Sequence, residues 1–366
     1  MPAQGTSASS LPTRTETMSR THTTVGAVMA LALVLAACSS GASEESPQTI
    51  TLMAHDSFAG GVTDATFAPF TQETGIEVKV IAAGDAGLMV NQAILTKDNP
   101  LADVLFGVDD TFLSRALDEE IFLIHKAKDI GRVAPDLVDR KHRVTPIDFG
   151  DVCINYDKSW FESTSLAVPD DLADLRANLY ASHLTVEHPA TSSPGLAFML
   201  ATIFEFGEEG WLDYWADLRR AGVNVATDWN SAYYGDFFRY GGQSSMVVSY
   251  ASSPPAEVIF AEEPTDTAPT GVIEAGCYRQ VEYAGVLAGT DFPEAAAKLV
   301  DYMLSVGFQE TIPLTWFVFP ANQDAELPQV FVDHAIVPED PARFSAGYIA
   351  ENRDRWINEW IVVMEG

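Results

Sequence analysis

Residues 49 to 109 read TITLMAHDSFAGGVTDATFAPFTQETGIEVKVIAAGDAGLMVNQAILTKDNPLADVLFGVD, and this stretch decides the fold. Ile50–Ala54 is a short apolar run fit for a buried strand. Thr63–Thr74 suits a helix, and Gly75 stands where such a helix would end. Ile76–Ala83 alternates and is rich in β-branched residues, so it reads as a second strand. Gly84-Asp85-Ala86-Gly87 is a turn and Leu88–Thr96 a helix. Ala102–Val108 is a third strand, followed by a helix from Thr111 to Glu119. Strands alternating with helices call for an α/β fold, a parallel sheet covered by helices.

A second α/β unit follows. Pro146–Tyr156 reads as an extended connection, Leu184–Glu187 as a short strand and Gly195–Phe206 as an apolar helix opening after Pro194. Trp211–Arg220 is a further helix, Val223–Ala226 a strand, Ala232–Tyr240 a helix and Met246–Tyr250 a strand. Glu262–Pro269 is an acidic, Pro/Thr-rich surface loop. Val281–Leu287 is extended again and leads into the helical pattern of Pro293–Leu304. Two units joined by extended segments near Phe149–Tyr156 and Tyr278–Leu287 imply two lobes with a double connection. We expect residues 49–148 plus 283–366 in lobe 1 and 149–282 in lobe 2, with a cleft that closes by hinge motion.

Composition narrows the function. The 366 residues include 52 acidic and 21 basic side chains, a net charge of −31. That charge argues against nucleic acid, whose phosphates need Lys and Arg, and leaves room for a cationic or aromatic ligand. At the N-terminus, Arg20 precedes the apolar run Val25–Ala37, shorter than the roughly 20 residues of a membrane span but right for a secretory segment. Leu35-Ala36-Ala37-Cys38 resembles the lipobox of bacterial lipoproteins. Residues 1–37 are therefore expected to be a signal peptide, with 1–17 an extension upstream of Met18. Cys38 would be the lipidated first residue, and 38–48 a tether. Cys153 and Cys277 remain, either as a disulfide or as two buried thiols.

Enzyme signatures are absent: no Gly-x-Ser-x-Gly elbow, no His-Glu-x-x-His, no Walker A loop and no Gly-x-Gly-x-x-Gly occurs. The seven His residues are scattered without ligand spacing, so no metal or other cofactor is expected. Asp109-Asp110 reads as a helix cap rather than an acid/base pair. Four local features remain. Gly84-Asp85-Ala86-Gly87 opens a helix whose backbone N–H groups suit an anion, with Asp85 able to cap the helix or orient a hydroxyl. Thr191-Ser192-Ser193-Pro194-Gly195 opens another. Asp228-Trp229-Asn230-Ser231 puts a Trp at a strand-to-helix turn. Ser249-Tyr250-Ala251-Ser252-Ser253-Pro254 ends a strand in an aromatic ring and hydroxyls. With Trp316 added, aromatic rings gather at element ends amid acidic charge, a setting for a flat cation, where each Trp contact is worth about 0.5–2 kcal/mol. Trp211, Trp215, Trp356 and Trp360 have helical spacing and are read as packing residues.

From Thr49 to Trp360 the chain resembles the periplasmic thiamine-binding proteins, substrate-binding components of ABC importers. The resemblance rests on His55-Asp56-Ser57-Phe58, Ala102–Asp109, Pro146-Ile147-Asp148-Phe149-Gly150 and Ser192–Leu196. It continues through Trp229–Tyr233, Val248–Pro254, Gln280-Val281-Glu282 and Trp316 ahead of Pro320. It implies a two-lobed type II periplasmic-binding-protein fold with a double-stranded hinge and an interlobe cleft. It also implies a receptor that captures thiamine or its phosphates and delivers it, as a monomer, to a membrane permease. Position by position, Asp85 and Ala86 fall where the family holds a phosphate or hydroxyl, and Ser192 and Ser193 at a second contact on that side. Trp229 would stack on the ligand, Tyr250, Ala251, Ser252 and Ser253 would line the site, and Trp316 would add an aromatic wall. The chain departs from the family at Ala86, where Gly is usual, and at Cys153 and Cys277 on the expected hinge strands. Rival readings are a receptor for ferric iron, through Tyr233-Tyr234, or for a polyamine. A thiaminase-like enzyme would need Cys153 as its nucleophile.

Overall fold

The computed structural model describes residues 49–366, so the apolar run Val25–Ala37 and the lipidation candidate Cys38 lie outside the described residues. The strands are β1 (Thr49–Ala54), β2 (Glu77–Ala82), β3 (Val104–Asp109), β4 (Thr145–Asp157) and β5 (Leu184–Glu187). They continue as β6 (Asn224–Ala226), β7 (Met246–Tyr250), β8 (Thr270–Val286) and β9 (Phe319–Pro320). They form one sheet in the order β2-β1-β3-β8-β4-β7-β5-β6, with β9 paired to β4. The wing β2-β1-β3 is parallel, and so is the wing β7-β5-β6. Between the wings, β8 and β4 run antiparallel to each other and to their outer neighbours. This is the two-lobed type II arrangement: each parallel wing is the core of a lobe, and the two long strands belong to both.

Sequence and structure agree on the strands better than on the helices. β8 begins at Thr270, well ahead of the extended run Val281–Leu287 expected from the sequence, because Thr270–Gln280 is drawn out along β4. The expected helix over Thr63–Thr74 shrinks to Ala68–Thr74, closed by Gly75 at φ +73°, and an unexpected short helix α1 (Asp56–Gly61) precedes it. His55 starts α1, its Nδ1 accepting the Phe58 N–H at 3.2 Å. The other helices used below are α2 (Ala86–Leu95), α3 (Ser193–Ala221), α4 (Pro254–Ile259), α5 (Pro293–Met303) and α6 (Ala346–Glu365). α3 joins the two expected helices Gly195–Phe206 and Trp211–Arg220 across a break at Gly207, which takes φ +69°. The stretch expected as a helix over Ala232–Tyr240 is instead a π-turn, Ser231–Asp236, followed by a 3-10 turn, Phe238–Tyr240.

One hydrophobic core runs under most of the sheet and takes in Trp211, Trp215, Trp356 and Trp360, all buried as expected. A satellite cluster of Ala226, Ala232, Tyr233, Phe237 and Val247 lies under the β6–β7 edge. Cys153 on β4 and Cys277 on β8 are joined by a disulfide, their Cα atoms 4.4 Å apart. The bond ties together the two strands shared by the lobes. Beside it, Arg279 of β8 donates to Asp151 of β4 through Nε at 2.5 Å and Nη2 at 3.0 Å. Among the described residues no helix is long and apolar enough to cross a membrane.

Candidate functional site

In open α/β sheets the carboxyl ends of parallel strands carry the ligand-binding loops, because there the chain leaves the sheet and turns into helix N-termini. Here β1 runs into His55, β2 into Asp85, β5 into Ser192-Ser193, β6 into Trp229, and β7 ends on Tyr250. These ends converge on a cavity of about 370 Å³. Asp85, Ser193, Trp229, Tyr250, Ser253 and Trp316 line it. Ala86, Ser192, Ala251 and Ser252 are fully buried behind the lining and are not part of it.

Two tryptophans line the cavity, each fixed by a stacked ring and a hydrogen bond. Trp316 stacks on Phe58 with centroids 4.5 Å apart and planes 17° apart, and its indole N–H donates to the Phe58 carbonyl at 3.0 Å. Trp229 stacks on Tyr233 at 5.0 Å and 17°, and its indole N–H donates to Ser249 Oγ at 3.0 Å. Tyr233 in turn donates to buried Glu257 on α4 at 2.8 Å. Tyr240 donates to the same carboxylate oxygen at 2.8 Å, and Arg239 Nε to the other at 3.0 Å. Tyr250 donates to Gln280 at 3.2 Å.

The polar lining is acidic. Asp56, Asp85, Asp148 and Glu282 line the cavity, and among the described residues no Lys or Arg does. His55 Nε2 lies 3.3 Å from Glu282 Oε2. Burial alone would lower the His55 pKa, but the Glu282 carboxylate beside it wins and raises it above the usual 6.5. Burial, and then the adjacent Glu282, push Asp148 well above the carboxylate range. Burial also raises Asp85, against the opposing charge of His55 and the Ala86 N–H. Such carboxyls await a partner, and a cation or an N–H-rich ring supplies one.

Asp85 spans the cleft. Its Oδ1 accepts the Ala86 N–H at 2.8 Å and so caps α2, while Oδ2 accepts the Trp229 N–H from the opposite lobe at 3.4 Å. The Gly87 N–H donates across the cleft to the Thr191 carbonyl at 3.1 Å. Gly87 is needed there, since a Cβ would lie 2.7 Å from the Ala190 carbonyl oxygen.

His55, Asp148 and Glu282 were missed as site residues, although all three lie in the stretches that carry the resemblance. The signal for His55 was available, a polar residue directly after the apolar run Leu52-Met53-Ala54, whereas Asp148 is one of several polar residues in Thr145–Asp157 and carries no such mark. The thiaminase-like reading loses its nucleophile, because Cys153 is bonded to Cys277 and buried beside Ala251. The iron reading loses a ligand, because the Tyr233 hydroxyl is committed to Glu257. Among the described residues no group of three or more His, Cys, Asp or Glu is placed to hold a metal ion.

Comparison with known proteins places this geometry. Residues 99–336 match the family described as bacterial extracellular solute-binding protein. A thiamine-binding periplasmic protein of Salmonella typhimurium is 30% identical over 318 residues, covering 85% of this chain and 92% of that protein. Its counterpart from Brucella suis is 28% identical over 326 residues, covering 87% and 92%. A solved periplasmic thiamin binding protein superposes with a TM-score of 0.77 at 26% identity, covering 86% of this chain and 96% of that one. Iron-bound HitA from Pseudomonas aeruginosa superposes with a TM-score of 0.70 at 19% identity, covering 86% and 99%, a likeness of fold.

Proposed function

The chain belongs to the bacterial extracellular solute-binding proteins, and from that premise we propose that it captures thiamine outside the cytoplasm and delivers it to an ABC permease. It is a binding protein and not an enzyme; the ligand leaves unchanged. The observation that carries the thiamine reading is the cavity itself, lined by two stacked tryptophans and four carboxyl groups with no Lys or Arg in the described lining. A flat aromatic cation answers both the rings and the charge. The thiamine-binding relatives named above support the same choice.

In this reading the thiazolium ring lies against Trp229 or Trp316 and the aminopyrimidine against Tyr250. Asp148 and Glu282 answer the cation and the exocyclic amine. The hydroxyethyl tail reaches Asp85 and Ser193, with Ala86, Ser192, Ala251 and Ser252 supporting the lining from behind. The lobes divide at 148/149 and 282/283, and the cleft opens and closes about β4 and β8. Residues 1–37 serve as a signal peptide and Cys38 as a lipid anchor, holding a monomeric receptor beside its permease. The acidic surface raises the local concentration of a cation, an effect that salt weakens.

Calorimetric titration of the full chain, stripped of carried ligand by unfolding and refolding, tests the assignment. One-to-one, sub-micromolar binding of thiamine is expected. Absence of heat with thiamine, in a protein whose circular dichroism shows it refolded, would overturn it.

A further inference from the structure

Besides the two tryptophans, another pair of rings borders the cavity, and neither is packed into the protein's interior. Phe260 and Phe317 both line the cavity, with ring centroids 5.8 Å apart and planes at 72°, an edge-to-face contact. Phe260 is 69% exposed and Phe317 is half-buried. Neither belongs to the main core, the satellite cluster or the small group around the disulfide. A lining residue so open to solvent lies at the cavity's rim.

Each ring is nevertheless held in place. Phe260 ends α4, its N–H donating to the Ala256 carbonyl at 2.9 Å, and α4 itself follows directly on the end of β7. Phe317 takes φ +57°, the left-handed region that a bulky residue enters only at a cost. That turn gives neighbouring rings different partners: Trp316 stacks on Phe58, while Phe317 meets Phe260. Two residues further on, Phe319 of β9 pairs with Phe149 of β4, so the Phe317 backbone is anchored close to the strands that both lobes share. In the proposed lobe division Phe260 rides on lobe 2 and Phe317 stays with lobe 1. The hydrogen bonds that cross the cleft from Asp85 to Trp229 and from Gly87 to Thr191 involve neither ring. The cleft therefore has a polar tie and, separately, an aromatic one.

We propose that Phe260 and Phe317 form an aromatic latch at the rim, made as the lobes close over the ligand and parted before it can leave. Two exposed rings gain from meeting because each shields the other from water, and they meet only while the lobes are together. Capture takes place at the open cleft, before the rings touch, whereas release must first separate them. The latch thus acts on the dissociation rate, where affinity differences between related complexes mostly lie. The inference rests on the thiamine reading for its ligand and goes beyond it in assigning how that ligand is retained.

The test follows thiamine on the full, ligand-stripped chain. Chasing pre-bound radiolabelled thiamine with excess unlabelled thiamine times release, and stopped-flow quenching of tryptophan fluorescence times capture. Phe260→Ala and Phe317→Ala should each speed release by about two- to tenfold, the range for an aromatic pair, with capture unchanged. The double variant should release no faster than the faster single variant, because either truncation already breaks the same contact. Phe260→Tyr, which keeps the ring, should release at the wild-type rate. Unchanged release in a Phe260→Ala chain with wild-type circular dichroism would overturn the latch. So would single effects that multiply in the double variant, which would mean that the rings act on the ligand separately, or slowed capture with release unaltered. Failure of wild type to bind thiamine at all would strike the thiamine reading itself, and this inference with it.

Discussion

The two tryptophan walls look alike from the cavity and differ behind it. Trp316 and its partner Phe58 lean on Phe106 and Phe308, all part of the main hydrophobic core. Trp229 and its partner Tyr233 lean on the satellite cluster and are held from behind by Glu257, Tyr240 and Arg239. The lobe 1 wall is thus an extension of the core, whereas the lobe 2 wall hangs on a small apolar cluster and a polar network. Damage to the first should appear mainly as lost stability, and damage to the second mainly as lost affinity.

The largest expected effect is at Phe58, which is buried between two aromatic rings. Phe58→Ala should lower stability by about 3–5 kcal/mol in urea unfolding, the range for buried Phe truncation. A loss below 1 kcal/mol would mean that the lobe 1 wall is not continuous with the core. Next comes Tyr233→Phe, which removes one of three donors to Glu257 and keeps the ring; about 1–2 kcal/mol of stability should go, with thiamine still bound. Trp229→Ala should weaken thiamine binding by about 1–2 kcal/mol while costing less stability than Phe58→Ala. Should Trp229→Ala prove the more destabilising of the two, the contrast between the walls is reversed.

The smallest effect is electrostatic. The His55 pKa is raised by Glu282, so the stability contributed by that pair is fully present below the unfolded value near 6.5 and fades as pH rises through the folded value. The ligand responds with the opposite sign, since a protonated His55 repels a cation. Thiamine affinity should therefore rise as His55 loses its proton, by about 1 kcal/mol. Calorimetry between about pH 6 and 9 reads the trend, and His55→Gln should flatten it.

Much of this was legible in the sequence. The strand pattern from Ile50 to Val108 gave the parallel wing, and the second set of strands gave its counterpart, because buried strands announce themselves by local hydrophobicity. Trp229, Tyr250 and Trp316 could be found because large aromatics at element ends rarely have a packing role alone. The rest depended on distance along the chain. Asp85 meets Trp229 and His55 meets Glu282 only after β4 and β8 have folded the lobes together, with separations of 144 and 227 residues. Ala86 and Ser192 read from sequence as ligand contacts, yet both are buried behind the lining, next to the contact of Gly87 with Thr191, which no local pattern encodes. The pairing of Cys153 with Cys277 was equally silent until β4 and β8 were in register.

A crystal structure of the full chain grown with thiamine tests the central claim most directly. The account predicts one thiamine in the cleft, its rings between the Trp229 and Trp316 walls, its cation near Asp148 and Glu282 and its hydroxyethyl oxygen at Asp85. A thiamine bound outside that cavity, or one whose rings touch neither tryptophan, would contradict it.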